Sequence, residues 1–365
     1  MRLRRLRAMT CYWHQGSFVV HAYVRGAPVS LHPGSAEILN AFETWTSPQE
    51  AADTLDHLTS GTVEKAVHTL CDVGLLVAEG SDDARQDEHV AESWSAWAPE
   101  AAFFHYGTRD APFEPATPEL RQHLTGAGRP ALFTEYPRAE RILLPRGPAP
   151  ALRVPLETAL YQRRTHRSFT DRAVSLTDLA ALLAVTFGPA DFIDGHEYGA
   201  LMRRTSPAGG SRQEIEAYLA VPNVEHVAPG LYHYNAREHS LELIAEGFTH
   251  AEAAQLCADQ EGTAEAAFLI FLVAVWERMR VKYRHPRAYR VSLLNAGHLG
   301  QTFALAATAL GLGPFQTAAF DDTAVETRLA LDPAACSALY ALAAGHPRGE
   351  DAQPAGLKPF RLSGT

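Results

Sequence analysis

Ala267-Phe268-Leu269-Ile270-Phe271-Leu272-Val273-Ala274-Val275 is an unbroken apolar run. It is too short to span a bilayer, and its β-branched and aromatic content suits a strand buried on both faces. A second apolar stretch, from 293 to 312, follows it. Asn295, His298 and Gln301 interrupt that stretch, so it reads as a buried core helix and not a membrane span. Between the two lies Arg280-Val281-Lys282-Tyr283-Arg284, a tyrosine among cations.

Working outward, Val154 to Arg163 and Leu176 to Thr186 read as helices, the latter stopped by Gly188-Pro189. Glu216 to Val221 is a strand. Gly230 to Tyr234 and Ser240 to Ile244 form a hairpin, and Ala338 to Ala344 is a last strand. A short amphipathic helix is expected between 321 and 331. Strands flank the long helix on both sides in sequence without regular βαβ alternation, which predicts an α+β fold.

The first 80 residues form a smaller unit. Phe18 to Val24, the turn Arg25-Gly26-Ala27-Pro28 and Val29 to Leu31 predict a hairpin. Pro33 to Trp45 reads as a helix with Ile38, Leu39, Phe42 and Trp45 on one face. Ser47-Pro48-Gln49-Glu50 is a capping box that starts a second helix. Thr62 to Val73 is a third, with Val63, Ala66, Val67 and Leu70 inward, and Gly74 ends it. Leu75-Leu76-Val77 closes a winged-helix outline. Residues 81–150 read as a connector: an acidic linker, then Trp94, Trp97 and Phe103-Phe104-His105-Tyr106, whose rings should pack on a flanking domain, then a Pro/Gly-rich stretch. Residues 151–350 make the second domain and 351–365 a tail. Arg2, Arg4, Arg5 and Arg7 precede no apolar run, so they read as a solvated basic tip and not a signal peptide.

Composition bounds the function. The chain has 365 residues, 46% of them hydrophobic and 20% charged, with a net charge of −10. Disorder is excluded, and a polyanion-binding role, nucleic acid included, is disfavoured. Cys11, Cys71, Cys257 and Cys336 lie far apart with no metal-ligand spacing. No metal site is expected, and the cysteine usage fits a reducing cytoplasm.

Four constellations carry chemistry. Arg163-Arg164-Thr165-His166-Arg167 offers forked donors suited to phosphate oxygens, although such clusters are commonly solvated faces. Thr205-Ser206-Pro207-Ala208-Gly209-Gly210-Ser211-Arg212 has paired glycines that let backbone N–H groups approach a ligand. In Lys282-Tyr283 the cations favour ionisation of the phenol; the alternative is a pair that merely caps a strand end. Asn295, His298 and Gln301 are polar groups on an apolar helix, where a buried histidine is commonly just a satisfied core residue.

Their order and spacing resemble the nitroreductase-like flavoproteins. The carriers are R-R-x-x-R at 163–167, S-P-A-G-G at 206–210, K-Y at 282–283, G-H-x-x-Q at 297–301, A-L-G-L-G at 309–313 and A-A-F-D-D at 318–322. Within that superfamily the chain looks most like the SagB-type dehydrogenases, which oxidise azolines in ribosomally made peptides. The similarity covers about 151–347 and, more weakly, 94–110. It implies a nitroreductase-like fold, with a mixed or antiparallel sheet and helices around a long core helix. It implies FMN held by Arg163, Arg164, Thr165 and Arg167 with Arg348, by the loop Ser206, Pro207, Ala208, Gly209 and Gly210, and by Gln301. Ala208 replaces the usual serine of that loop. Ala318 and Ala319 match the Glu-Gly pair of many nitroreductases, and this departure weakens any transfer of NAD(P)H chemistry.

The resemblance implies Lys282 and Tyr283 as the catalytic pair, with Tyr283 the proposed base and the reverse assignment open. It also implies a homodimer, reoxidation by oxygen, a peptide substrate with a leader and a YcaO-type cyclodehydratase partner. Residues 17–80 resemble the PqqD-like leader-binding fold, with 18–24 as the strand region that would accept the leader. The alternative function is an FMN-dependent NAD(P)H reductase of a nitro, quinone or activated-alkene substrate. A non-catalytic peptide-binding scaffold is a further alternative.

Overall fold

The structure, a computed structural model, describes residues 1–111, 117–119, 122, 129–147, 152–196 and 199–349. Parts of the expected connector and the whole tail 351–365 lie outside the described residues. The chain divides into two compact units, Met1–Phe113 and Glu114–Thr365.

In the first unit β1 (Leu3–Arg5) is followed by β2 (Thr10–His14), β3 (Ser17–His21), β4 (Val29–Leu31) and, after three helices, β5 (Leu76–Ala78). The predicted hairpin is present, with Phe18 opposite Leu31. It is only half of a three-stranded sheet. Gln15 and Gly16, both at positive φ, turn β2 onto the other edge of β3. The closing strand does not join that sheet: β5 pairs with β1, Arg4 opposite Val77.

The helices are Ser35–Ala41, Pro48–Thr54 and Ser60–Asp72. The capping box forms as read, with Ser47 accepting from Glu50 N–H and the Glu50 carboxylate accepting from Ser47 N–H. Ile38, Leu39, Phe42, Val63, Val67 and Leu70 are buried in one core with Leu3, Leu6 and Val20, whereas Trp45 and Ala66 are only partly covered.

Two expectations fail here for one reason. Arg4 is no solvated tip: it is 2% exposed and pairs with Asp87 at 3.0 Å. Asp87 lies on a helix, Asp82–Ser93, where an acidic linker was expected. That helix is capped by Ser81, and Asp87 also accepts from the N–H groups of Arg7 and Ala8 at 3.0 Å. A charged pair distant in sequence, each half of which looks solvated alone, is thus a buried tie between strand and helix. The unit therefore runs past residue 80. A further helix, Pro99–Gly107, lays Phe103 against Tyr12, His21 and Tyr23, as the aromatic content of the connector suggested.

In the second unit β6 (Arg141–Leu143) precedes helices Leu156–Gln162 and Leu176–Phe187 and a separate hairpin of β7 (Asp191–Asp194) and β8 (Ala200–Arg203). Then come β9 (Ile215–Val221), β10 (Gly230–Asn235), β11 (Ser240–Glu246), β12 (Phe268–Val275), the helix Arg287–Ala309, β13 (Gly313–Thr317), helix Asp322–Arg328 and β14 (Cys336–Gly345). The sheet order is β13-β14-β12-β9-β10-β11-β6, with every pairing antiparallel.

The apolar run is β12. Residues 268–274 are completely buried because both faces are covered. Phe268, Ile270, Leu272 and Ala274 point into the core shared with the long helix, and Leu269, Phe271 and Val273 into the core on the opposite face. The fold is α+β, as read. The long helix begins at Arg287, a turn and more before its apolar segment, and no described helix is long and apolar enough to cross a membrane.

Candidate functional site

The loop 206–210 is fastened to the long helix side chain by side chain. Asn295 Oδ1 accepts from Gly209 N–H at 3.2 Å. His298 Nδ1 meets the Pro207 carbonyl at 3.2 Å, and the Ser206 and Thr302 hydroxyls bond at 2.6 Å. Positions 295, 298 and 302 share one helical face, which explains two of the polar interruptions of this apolar helix, Asn295 and His298. Asn295 is itself oriented: its amide Nδ2 donates to Glu214 Oε1 at 2.8 Å, and Glu214 is wholly buried. Gln301 lies on the exposed side of the helix, one residue from Thr302. Beneath the loop is a crevice lined by Arg204, Ala208, Gln213, Glu214 and Asn295.

Both glycines are required by close packing. A β-carbon on Gly209 would strike Val291 of the long helix. Gly210 has φ +60° and packs against the hydroxyl end of Tyr283. Seventy-odd residues of intervening chain thus bring the loop and the Lys-Tyr pair into contact.

Lys282 and Tyr283 sit at the end of the short helix Trp276–Arg280, where both backbone N–H groups donate to the Met279 carbonyl. Met279 and Val281 are buried, Tyr283 is half-buried and Lys282 is exposed. The Lys282 ammonium lies 5.2 Å from the Tyr283 ring centroid. Arg212 completes this cluster: its Nε donates to the Gly210 carbonyl at 2.9 Å. Burial pushes the Arg212 guanidinium below its ordinary value, and the nearby Tyr283 partly counters that.

The arginine block forms a second cluster. Arg163 ends the helix Leu156–Gln162, which packs on the long helix. Arg163, Arg164 and Thr165 are half-buried and Arg167 is exposed. One Arg164 nitrogen donates to the Tyr161 and Arg163 carbonyls at 2.8 Å. The block continues alongside β13 and the end of β14: His166 N–H donates to the Pro314 carbonyl, and Arg348 N–H donates to the Ser168 carbonyl at 3.0 Å. Arg348 is therefore beside the block, with its guanidinium 3.5 Å from Glu265.

Ala318 and Ala319 are exposed just beyond β13. Their turn is shaped by Thr317, which accepts from Ala319 N–H and donates to Gln260, while Gln260 donates to the Ala319 carbonyl at 2.7 Å.

Behind the site lies a buried charged network that the sequence reading missed. Arg278 reaches Glu216 at 2.6 Å; His233 meets Glu242 at 2.9 Å and Glu216 at 3.5 Å. Burial alone would raise the Glu216 carboxyl, but Arg278, His233 and Arg204 outweigh it and hold it at about 2. Burial likewise disfavours the charged form of His233, and its two carboxylate neighbours reverse that and raise it. The available signal was Glu216 and Glu242 at inward-facing strand positions, where a lone charge would be costly.

Comparison with known proteins agrees with this architecture. Residues 160–346, just over half of the chain, match the nitroreductase family. The trifolitoxin-processing protein TfxB of Rhizobium leguminosarum bv. trifolii is 26% identical over 323 residues, covering 84% of this chain and 85% of that protein. The microcin B17-processing protein McbC of Escherichia coli is 30% identical over 136 residues, 36% of this chain and 50% of that protein. A nitroreductase candidate of known structure from Anabaena variabilis superposes with a TM-score of 0.53 at 26% identity, over 68% of this chain and 47% of the other. With its matched family segment holding β9 through β14, the long helix and both clusters, the chain belongs to the nitroreductase family.

Proposed function

We propose that this protein is an FMN-dependent dehydrogenase that oxidises thiazoline or oxazoline rings to azoles in a ribosomally made peptide. The observation that carries the reading is the contact between Tyr283 and Gly210, with Lys282 and Arg212 beside it. The similarity to proteins that process trifolitoxin and microcin B17 supports a peptide substrate.

The residues fit FMN by the chemistry of their donors. Arg163, Arg164, Arg167 and Arg348 lie along one backbone junction and offer forked donors to a phosphate, with Thr165 among them. The loop 206–210, tied to the long helix through Ser206, Pro207 and Gly209, would present its backbone to the ring system. Bound FMN would supply the hydride acceptor. The azoline-to-azole step also releases a proton from a ring carbon. Tyr283, acting as its phenolate, takes that proton at its oxygen and becomes the neutral phenol, and Lys282 places a positive charge beside the ring.

The test is Lys282→Ala and Tyr283→Phe. Both should keep bound FMN and lose oxidation of an azoline peptide; if both keep wild-type oxidation, the assignment is wrong. Rapid bleaching of the bound flavin by NADPH would instead favour a reductase.

The first unit is the proposed leader-binding module. Phe18 to His21 lies in the central strand β3, already paired on both sides, so a leader strand would add at β2 or β4. Removing this unit should abolish affinity for the leader while the remainder stays folded. The proposed homodimer is supported by Leu156, Leu160, Leu293 and Leu294, exposed on the two packed helices. A YcaO-type cyclodehydratase would supply the azoline, in a cytoplasmic setting.

A further inference from the structure

Arg278 is 4% exposed, yet it belongs to none of the sequence motifs. Its guanidinium is divided among four groups. Nε donates to the Ala131 carbonyl at 2.9 Å, and Nη2 donates to the Thr134 hydroxyl at 3.1 Å. Nη1 donates to the Gln213 carbonyl at 3.0 Å and to Glu216 Oε1 at 2.6 Å. Three separate pieces of chain therefore meet on one side chain: residues 131–134, the exit of the glycine loop at Gln213, and the start of β9.

The fourth piece is the backbone that carries Arg278. Its helix ends at Arg280, and the buried Met279 and Val281 lead directly to Lys282 and Tyr283, whose N–H groups bond to the Met279 carbonyl. Lys282 follows Arg278 by four positions, about one helical turn along the chain. The loop end is thus bonded to the same guanidinium whose backbone leads to the tyrosine that abuts the loop.

We infer that Arg278 is a positioning residue that sets the placement of Lys282 and Tyr283 against the loop 206–210. It touches neither substrate nor cofactor in the proposed reaction. An ammonium cannot replace it, because no single point charge spans donors aimed at Ala131, Gln213, Glu216 and Thr134 together. The oxidation step part of this inference rests on the azoline reading, whereas the placement part does not.

The experiment uses full-length protein labelled with 3-fluorotyrosine and followed by fluorine NMR. The Tyr283 resonance is identified by its loss in Tyr283→Phe, and a reference resonance by its loss in Tyr232→Phe. Arg278→Lys and Thr134→Val are then compared. The expected result is a shifted or split Tyr283 resonance, larger in Arg278→Lys, with the Tyr232 resonance unmoved.

With an azoline peptide, Arg278→Lys should lower kcat by about 10- to 100-fold and change KM much less, as for a misplaced catalytic group. An unmoved Tyr283 resonance in both variants overturns the inference. Equal movement of Tyr232 also overturns it, since the role is then general support. If Arg278→Lys does not fold, Thr134→Val and Glu216→Gln are compared by the same two resonances, with the same outcomes for and against. Failure of the wild-type protein to oxidise any azoline peptide would refute the functional reading and leave the placement of Tyr283, as measured by NMR, unaffected.

Discussion

The hydroxyl end of Tyr283 occupies the space where a side chain on residue 210 would begin, so Gly210 and Tyr283 are a matched pair. Gly210→Ala should fail twice. Its φ of +60° costs an alanine about 1 kcal/mol, and the methyl group displaces the phenol. We expect azoline oxidation to fall at least about tenfold, the scale set by moving a catalytic group. Initial rates and thermal melts of Gly210→Ala separate the two effects: the lost rate should exceed what the lost stability explains.

Asn295 orients the loop because each end of its amide has one possible role. Gly209 offers only a donor and Glu214 only an acceptor. Asn295→Asp puts a carboxylate against buried Glu214 and should weaken FMN binding, read by fluorescence titration of apoprotein. Thr302→Val, which removes only the Ser206 contact, should weaken it less.

Acid should unfold the second unit through its buried carboxylates. Glu216 and Glu242 both titrate at about 2; burial raises them, and their cationic and hydrogen-bonded neighbours more than reverse it. Their contribution is present above the unfolded value and is lost as pH falls from about 4.5 to about 2. His233 is raised, so its contribution is complete below its unfolded value and is lost as pH rises through its raised one. Thermal melts against pH should show the acid loss in wild type and a flatter acid limb in Glu242→Gln.

Breaking the Arg4–Asp87 pair should destabilise the first unit severely. Asp87→Ala leaves Arg4 Nη2 and two backbone N–H groups without their acceptor, with only Glu88 still paired to the buried guanidinium. A loss of about 3–5 kcal/mol is expected. Limited proteolysis should then cut near the N-terminus at low denaturant. An unchanged cleavage pattern would contradict the tie.

Leu294→Glu tests the proposed homodimer. Leu294 is 62% exposed, so the change should cost the folded protomer little. Light scattering should show a monomer if this face is the interface and an unchanged mass if it is not.

Much of the second unit was legible because its signals are local. β12 is seven fully buried positions in a row, and only a central strand with both faces covered allows that. The capping box at Ser47 and Glu50 needs four consecutive residues and nothing else. The helix 82–93 was missed because its few inward residues, Ala84, Asp87 and Val90, are diluted by charge. Arg278, Glu214 and Glu216 were missed because a buried charge is explained only by its partner, and each partner comes from another element.

By itself the sequence determined the apolar strand, the long helix, the α+β class and the residue types fit for phosphate and proton transfer. Those follow from periodicity and side-chain chemistry, which are properties of neighbours in the chain. Only the tertiary structure decided that Gly210 meets Tyr283, that Arg278 gathers Gln213, Glu216 and Thr134, and that β5 pairs with β1. These are choices of partner between distant segments. They are settled by which arrangement buries the apolar faces while giving the charges carried in with them a partner, as Asp87 does for Arg4 and Glu216 for Arg278.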